Sequence, residues 1–334
     1  MDLFDYDVEF ILSEIKKRKA KAVGLQFPDG LKRVGIELAK EIEEKTNATV
    51  FLSGNPCYGA CDIDEELKNF ADILIHFGHA ELGIAKDPKV IFVEARARID
   101  ITPVVEKAIE SLRGRKIGLI TTVQHVHKLK EAKEFLEKRG KEVVIGIGDS
   151  RIKYPGQVLG CNFSSAKIEV EEYLYIGSGI FHALGAALAS GKRIIAGDPF
   201  SMTVEEVNTE KIVKQRYLAI ARALDAKTFG IIIGMKAGQR RTKLAEQLKQ
   251  KAFERGKHAF LITLDDITPE ALLPFKADAF VNTACPRVAI DDAAKFKVPV
   301  LTTVEFEIAI GERKWEDYIF DEITATDSPS QNSV

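Results

Sequence analysis

The segment Ala22-Val23-Gly24-Leu25-Gln26-Phe27 is the first of three related strands on which the predicted fold rests. Its centre, Val23-Gly24-Leu25, has counterparts in Ile117-Gly118-Leu119 and in Phe229-Gly230-Ile231. Strands that are apolar at nearly every position are typical of parallel sheets with both faces covered, because neither face meets water. The recurrence of such a strand at intervals of roughly a hundred residues predicts repeated α/β units.

Each of these runs opens a set of four predicted strands that alternate with amphipathic helical stretches. Helices are predicted at the start of the chain, between the first and second strands of each set, and between the sets. The strands are predicted at 22–27, 49–53, 73–77, 90–94, 116–122, 142–147, 173–177, 193–197, 228–233, 258–264, 279–282 and 299–303. The helices are predicted at 8–19, 31–45, 101–113, 128–139, 204–224 and 241–255.

The predicted fold class is therefore α/β, with three repeated four-stranded parallel-sheet units, helices on both faces, and a central active site. The first unit is predicted to span 1–100, the second 101–203 and the third 204–324. The final segment, 325–334, is rich in Ser, Pro, Asn and Gln and is predicted to be disordered.

Composition excludes several functional classes for this chain of 334 residues. Its 46% hydrophobic and 29% charged residues are ordinary for a globular protein, and the formal net charge of −2 argues against a nucleic-acid partner. No apolar run approaches the roughly 18 residues that cross a bilayer, so no membrane association is predicted. The acidic opening Met1-Asp2-Leu3-Phe4-Asp5 lacks the pattern of a signal peptide, and a cytoplasmic location is expected.

Three of the four cysteines follow predicted strands: Cys61, Cys161 and Cys285, which lie 100 and 124 positions apart. Ligands of open parallel sheets bind beyond the carboxyl ends of the strands. If the three units face one another with these ends inward, the three thiols reach a common centre. Cys285 follows a third strand, whereas Cys61 and Cys161 follow second strands, so the threefold repeat is imperfect.

Each cysteine taken alone is equally compatible with a small buried apolar side chain. Structural zinc prefers local pairs and four protein ligands, whereas Cys57 and Cys61 form a C-x3-C pair with no third cysteine nearby. Three distant thiolates suit an iron–sulfur cluster that keeps one iron without a protein ligand.

Other residues at predicted strand ends are candidates for binding a small molecule. The Gly177-Ser178-Gly179 loop offers backbone N–H groups to an anion. The same sequence is equally typical of a tight turn that binds no ligand. Lys236 adds a positive charge to a second glycine-containing loop, residues 234–238. His79 and His182 either orient a substrate or cap a strand. Residues 240–243 have the pattern of a solvated helix end.

Five longer segments resemble one known family, the archaeal 2-(3-amino-3-carboxypropyl)histidine synthases, which perform the first step of diphthamide biosynthesis. The resemblance extends from about residue 5 to about residue 323. The matching segments are Gln26-Phe27-Pro28-Asp29-Gly30-Leu31, Tyr58-Gly59-Ala60-Cys61-Asp62, Gly156-Gln157-Val158-Leu159-Gly160-Cys161, residues 175–184 and residues 282–292.

The resemblance implies a non-standard radical S-adenosylmethionine enzyme that works as a homodimer, receives an electron from a donor, and modifies a histidine of translation elongation factor 2. It implies a 4Fe-4S cluster held by Cys61, Cys161 and Cys285, and it places Cys57 outside the matched position, as a bystander or at most a backup ligand. In that family the Cγ–S bond of S-adenosylmethionine is cleaved reductively, and the 3-amino-3-carboxypropyl group is transferred. Arg287, two residues after Cys285, is placed either to pair with a carboxylate of the cofactor or to form a surface ion pair. The predicted cofactor-pocket residues are Gln26, Asp29, Gly30, His79, Gly177, Ser178, Gly179, His182, Lys236, Gly238, Gln239 and Arg287.

Two other functions remain compatible with parts of the pattern. A quinolinate synthase also arranges three α/β units around a cluster, whose open iron acts as a Lewis acid in a dehydration. A binding protein with inert buried cysteines would carry no iron. The sequence leaves open the electron donor, the docking surface for elongation factor 2, the dimer interface, the role of Cys57 and the individual S-adenosylmethionine contacts.

Overall fold

The computed structural model describes residues 3–83 and 86–327, and it has three mainly parallel sheets flanked by helices, which confirms the predicted α/β class. A further two-stranded sheet joins β1 to β6. The strands are β1 Phe4–Asp5, β2 Ala22–Gln26, β3 Thr49–Leu52, β4 Ile73–Phe77, β5 Val90–Val93, β6 Arg96–Ala97, β7 Lys116–Thr121, β8 Glu142–Val144, β9 Glu172–Ile176, β10 Arg193–Asp198, β11 Thr203–Glu206, β12 Thr228–Gly234, β13 His258–Leu264, β14 Ala279–Asn282 and β15 Val300–Leu301.

Helices connect the strands and cover the sheets. The helices are α1 Val8–Arg18, α2 Gly35–Thr46, α3 Glu65–Phe70, α4 Thr102–Ile109, α5 Leu129–Glu137, α6 Phe181–Ser190, α7 Glu210–Ala223, α8 Thr242–Glu254, α9 Pro269–Leu272, α10 Arg287–Ile290 and α11 Thr303–Ala309. The middle sheet has a buried apolar core on each face, one containing α4 and α5 and the other containing α6. Two cores likewise flank the third sheet.

The three large sheets share one strand order. Their orders are β3-β2-β4-β5, β8-β7-β9-β10-β11 and β13-β12-β14-β15, so the first strand of each set lies between the second and the third. The second strand of each set is therefore added on one side of β2, β7 or β12, and the third strand is added on the other side. Such a change of side opens a crevice at the carboxyl ends of the strands, where ligands of this fold class bind.

A glycine in each first strand explains why the sequence repeats there. Gly24 pairs with Leu74, Gly118 with Tyr173, and Gly230 with Phe280. A Cβ atom at these glycines would lie 2.9, 2.3 and 2.5 Å from the side chain of the paired residue. Glycine is thus required because the bulky side chain of the third strand packs over the first strand.

The structure corrects several predicted elements, and two of the differences lie in the middle sheet. The middle sheet has a fifth strand, β11, which pairs antiparallel with β10, whereas a helix was predicted from 204 onward. The predicted strand 142–147 ends at Val144. The prediction missed β11 because it is a short edge strand, Thr203–Glu206, whose polar residues are mostly exposed, and only three residues separate it from α7.

The unit boundaries remain predictions, and the structure adds two observations to them. The chain stays in the middle sheet up to Glu206, because β11 follows β10 through a short turn. Ala325–Asp327 form a single 3-10 turn, and the Ala325 N–H donates to the Asp149 carboxylate at 2.9 Å. Residues 328–334, the rest of the predicted disordered tail, lie outside the described residues.

A buried ion pair fixes α7 to the third sheet. The Arg216 Nε donates to Glu305 Oε1 at 2.8 Å, and a guanidinium nitrogen donates to the Val300 carbonyl at 2.8 Å. The side chains of Arg216 and Glu305 are 3% and 0% exposed. Since neither charge can reach water, each depends on the other and on its hydrogen bonds.

Replacing Arg216 by Met is expected to lower the free energy of unfolding by about 3–5 kcal/mol, because Glu305 would remain buried without its partner. The matched control is Lys214→Met on the same helix, which removes an exposed ion pair of 3.4 Å with Glu210 and should cost less than about 1 kcal/mol. Urea denaturation of both variants measures the difference. Equal losses in the two variants would contradict the assigned role.

Candidate active site

Cys61, Cys161 and Cys285, one from each predicted unit, line a single cavity of about 330 Å³. This volume lies within the range of small-molecule sites. His79, His182 and Arg287 line the same cavity. Tyr58 also lines the cavity and is 65% exposed, so the cavity opens to solvent beside Tyr58.

The turn that carries Cys61 is held by polar contacts on both sides of the cysteine. The Asp62 N–H donates to the Gly59 carbonyl at 2.9 Å, and the Tyr58 N–H donates to the Asp62 carboxylate at 3.0 Å. Lys236 pairs with the same carboxylate at 2.9 Å. These contacts fold residues 58–62 into a compact turn, which directs Cys61 towards the cavity.

The turn that carries Cys161 depends on the C-terminal segment of the chain. The Ile323 N–H donates to the Cys161 carbonyl at 2.7 Å, and the Asn162 side chain donates to the Ile323 carbonyl at 3.0 Å. The Phe163 N–H donates to Glu322 at 2.7 Å. Residues 322–323 therefore act as a strap against the loop of the middle unit.

Arg241 holds the loop that precedes Cys285. Its Nε donates to the Thr283 carbonyl at 2.6 Å, and its two terminal nitrogens lie 3.0 and 3.1 Å from the Asp321 carboxylate. Arg241 is only 4% exposed, so the prediction that residues 240–243 form a solvated helix end is wrong for this residue. The Asn282 side chain completes the turn by donating to the Cys285 carbonyl at 2.7 Å.

The three thiols are poor acids in the metal-free protein. Burial raises the pKa of Cys161 far above its ordinary value, and the neighbouring Cys285 and Cys61 raise it further. Burial, with a smaller contribution from Cys61, raises the pKa of Cys285 to about 12. The pKa of Cys61 is also raised by burial. Because all three thiols would remain protonated at neutral pH, a bound cation would have to displace their protons.

A chain of hydrogen bonds fixes the ring of His79 at the cavity wall. Gln26 donates from Nε2 to the Asp62 carbonyl at 2.7 Å and accepts at Oε1 from the Asp64 N–H at 3.2 Å. Its Oε1 therefore also accepts from His76 Nδ1, at 2.9 Å. His76 Nε2 is then left to accept from His79 Nδ1, at 2.9 Å. The remaining ring nitrogen of His79, Nε2, carries a lone pair.

The chain matches known proteins over nearly its full length. A family model for diphthamide synthesis proteins matches residues 27–319. The chain belongs to the diphthamide synthesis family. The resemblance found in the sequence is thus confirmed.

Individual relatives of this diphthamide synthesis protein agree with the family match. A 2-(3-amino-3-carboxypropyl)histidine synthase from Pyrococcus horikoshii is 46% identical over 317 residues, covering 94% of this chain and 92% of that protein. Subunit 1 of the synthase of that name from Homo sapiens is 30% identical over 330 residues, covering 94% of this chain and 73% of the human protein. The crystal structure of Dph2 from Pyrococcus horikoshii with a 4Fe-4S cluster superposes with a TM-score of 0.90 at 44% identity, covering 96% of this chain and 94% of that chain.

Three of the twelve predicted pocket residues lie on the cavity wall in this diphthamide synthesis protein: His79, His182 and Arg287. Burial, with smaller contributions from the nearby Arg287 and His79, lowers the pKa of His182 to about 4. The Arg287 guanidinium lies 4.1 Å from the centre of the Phe181 ring, and its Nε donates to Asp291 at 2.9 Å. Arg287 thus forms the ion pair and faces the cavity as well.

The other nine predicted pocket residues are not among the described residues that line the cavity. Gln26 is buried behind the wall, and Asp29 pairs with Lys32 at 2.7 Å with 70% of its side chain exposed. Ser178 donates to Asp198 at 3.0 Å on the surface. The full set is Gln26, Asp29, Gly30, Gly177, Ser178, Gly179, Lys236, Gly238 and Gln239.

Cys57 lies in a second group of potential metal ligands. Its sulfur is 3.9 Å from His76 Nε2, and the ligand atoms of Cys57, His76 and His79 all lie within 4.8 Å of one another. Burial raises the pKa of the Cys57 thiol to about 12. A metal at this group would have to break the hydrogen bond between the two imidazoles, because that bond occupies His76 Nε2 while Gln26 occupies His76 Nδ1.

Two residues that line the cavity, Arg151 and Gln124, were not predicted as site residues from the sequence. Arg151 is 2% exposed, lines the cavity, and donates to the Gly238 carbonyl at 2.9 Å. Gln124 lines the cavity and donates to the Gly78 carbonyl at 2.7 Å. The position of Gln124 directly after a first strand is the only pattern that points to it, whereas Arg151 lies in an irregular loop.

Both imidazoles of the Gln26, His76 and His79 chain are expected to be neutral and protonated at Nδ1 at pH 6. Burial lowers the pKa of His79 to about 4 and that of His76 well below its ordinary value. Because protonation then favours the unfolded chain, acidification from about 6.5 towards 4 should destabilise the fold. Nitrogen-15 NMR of the imidazole rings measures the tautomers. Gln26→Leu, which removes the acceptor, should abolish the preference for Nδ1 at His76, and an Nε2–H tautomer at His79 in the unmodified protein would contradict the assignment.

Proposed function

We propose that this chain catalyses the first step of diphthamide biosynthesis. In that reaction the 3-amino-3-carboxypropyl group of S-adenosylmethionine is transferred to a histidine of translation elongation factor 2. The observation that carries the proposal is the convergence of Cys61, Cys161 and Cys285 on one cavity in a chain 46% identical to a protein named for this activity.

The donor set fits a 4Fe-4S cluster with one iron free of protein ligands. Three thiols face one cavity, and they lie close enough for Cys61 and Cys285 to raise the pKa of Cys161. Soft thiolates suit iron–sulfur clusters. Arg151 and Arg241 both favour the thiolate form of Cys161 by their positive charge. We assign Cys61, Cys161 and Cys285 as the cluster ligands.

When bound, such a cluster supplies an electron and an open coordination site for reductive cleavage of the Cγ–S bond of S-adenosylmethionine. The protein's part is to orient the sulfonium and exclude water. Arg287, which lies two residues after Cys285, is placed to bind the carboxylate of the amino-acid portion with the N–H groups that Asp291 does not take. His79 and His182 contribute neutral imidazole rings to the lining of the same cavity.

The opening beside Tyr58 is the route by which a histidine side chain of a protein substrate would enter. Tyr58 is exposed, and the Lys236 ammonium lies 5.2 Å from the centre of its ring. Elongation factor 2 is the proposed substrate, an external donor supplies the electron, and the enzyme works as a homodimer in the cytoplasm. Among the described residues, none of the helices is both long and apolar enough to cross a bilayer.

The decisive experiment is an anaerobic assay of the reconstituted protein with dithionite, S-adenosylmethionine and archaeal elongation factor 2. The expected products are methylthioadenosine and a target histidine that has gained the mass of the transferred group. A loaded cluster that gives neither product would favour a Lewis-acid dehydratase. Failure to load any cluster would overturn the premise of the proposal.

Single replacement of Cys61, Cys161 or Cys285 by Ser is expected to abolish cluster binding, because a serine hydroxyl is a much poorer ligand for iron than a thiolate. Cys57→Ser is the matched control and should retain iron at the level of the unmodified protein. Iron and sulfide analysis after anaerobic reconstitution measures the effect. Loss of iron in Cys57→Ser alone would instead place the metal at Cys57, His76 and His79.

A further inference from the structure

Gln239 makes a direct contact with one of the three cavity thiols. Its Nε2 lies 3.2 Å from the Cys61 sulfur, and the side chain is 8% exposed. A thiolate can only accept a hydrogen bond, so the amide must present its N–H group to this sulfur when Cys61 is a metal ligand. The contact connects the loop after β12 in the third sheet to the Cys61 turn of the first sheet.

Backbone packing holds this glutamine at the sulfur. A Cβ atom on Gly238 would lie 2.5 Å from the Cys61 Cβ and 3.0 Å from its Cα, so only glycine permits the approach. The Gln239 N–H donates to the Lys236 carbonyl at 2.9 Å, which closes a tight turn. The loop is therefore pressed against Cys61 by its backbone.

Two charged side chains anchor the same loop. Lys236 pairs with Asp62, next to Cys61, at 2.9 Å, and with Asp266 at 2.8 Å. Arg151 donates to the Gly238 carbonyl at 2.9 Å. The loop that carries Gln239 is thus held by its backbone packing and by the side chains of Lys236 and Arg151. Gln239 therefore has little freedom to move away from the Cys61 sulfur.

The three thiols differ in the groups that approach them. Cys61 receives the side-chain amide of Gln239, and Cys285 receives the backbone N–H of Arg287. The charges of Arg151 and Arg241 act on Cys161. A hydrogen bond to a ligating sulfur draws electron density from it and stabilises the more negative, reduced state of a cluster.

We propose that Gln239 is a positioning residue that donates a hydrogen bond to the Cys61 thiolate and thereby raises the reduction potential of the cluster. The inference rests on the cluster assignment made under the proposed function, but it does not require the transferase activity. The step concerned is a one-electron reduction, in which dithionite is oxidised and the cluster gains the electron. No bond of the protein is made or broken.

The test is an anaerobic redox titration of the loaded full-length protein, followed by electron paramagnetic resonance. Gln239→Leu should titrate at a lower potential, with the ratio of reduced to oxidised protein about threefold or more below that of the unmodified protein at the same potential. Gln250→Leu is the matched control, since Gln250 is an exposed residue of α8 that bonds Glu254, and it should leave the midpoint unchanged. Iron content and thermal unfolding of each variant are measured first.

Gln239→Glu provides a second variant of the same shape, in case the leucine variant loads poorly. Its carboxylate lacks the N–H donor and adds a negative charge, so it should shift the midpoint in the same direction. In D2O, pulsed electron paramagnetic resonance of the unmodified protein should show an exchangeable deuteron coupled to the reduced cluster, and Gln239→Leu should lose that coupling.

An unchanged midpoint in fully loaded Gln239→Leu would overturn the proposal and leave the proposed function intact. Loss of loading in both Gln239 variants would also overturn it, because the residue would then be needed for assembly and not for the potential. If the unmodified protein itself binds no iron, the proposed function fails together with this inference.

Discussion

The whole arrangement depends on close packing between the first and third strands of each sheet. At three equivalent positions a glycine lies beneath the side chain of Leu74, Tyr173 or Phe280, and no side chain could replace the missing hydrogen without moving that neighbour. This packing fixes one register in three sheets. The loops that leave the strands consequently start at equivalent levels, so segments far apart in the chain can be presented to one centre.

Strand register alone does not bring the loops together, since apolar and polar contacts also cross the seams between the units. Arg151 reaches from the middle unit to the Gly238 carbonyl of the third unit, and within the third unit Arg241 joins the loop before Cys285 to Asp321. Both arginines are almost fully buried. A guanidinium can satisfy several carbonyls and carboxylates at once, so one side chain stabilises two loops. The same cations lie near the thiols, which couples the packing of the seams to the electrostatics of the cavity.

The sequence predicted most of the features that recur in the three units, and it failed for elements and side chains that occur in one unit alone. The repeated strands with a central glycine were recognised in the sequence and are present in all three sheets. The rule that parallel sheets bind ligands at the carboxyl ends of their strands predicted that Cys61, Cys161 and Cys285 converge on one cavity, as they do. The antiparallel strand Thr203–Glu206 was missed because a short, polar edge strand has no periodic signal. Ser178 and Asp29 lie near strand ends as expected but turn towards other surface groups. The position of a residue in a loop can be read from the local sequence, whereas the direction of its side chain depends on partners elsewhere in the chain. Arg241 was misjudged for that reason, since its partner Asp321 is 80 residues away.

The C-terminal strap has a consequence for the order in which the molecule is made. Residues 321–323 supply hydrogen bonds to the Cys161 turn and to Arg241, and they follow all three cysteines in the sequence. Before these residues are synthesised, the first and middle sheets can form, but the loop of Cys161 lacks its closing partner. The cavity is therefore completed later than the synthesis of its last cysteine, and a metal that needs all three thiols held in place must be inserted after residues 321–323 have been made.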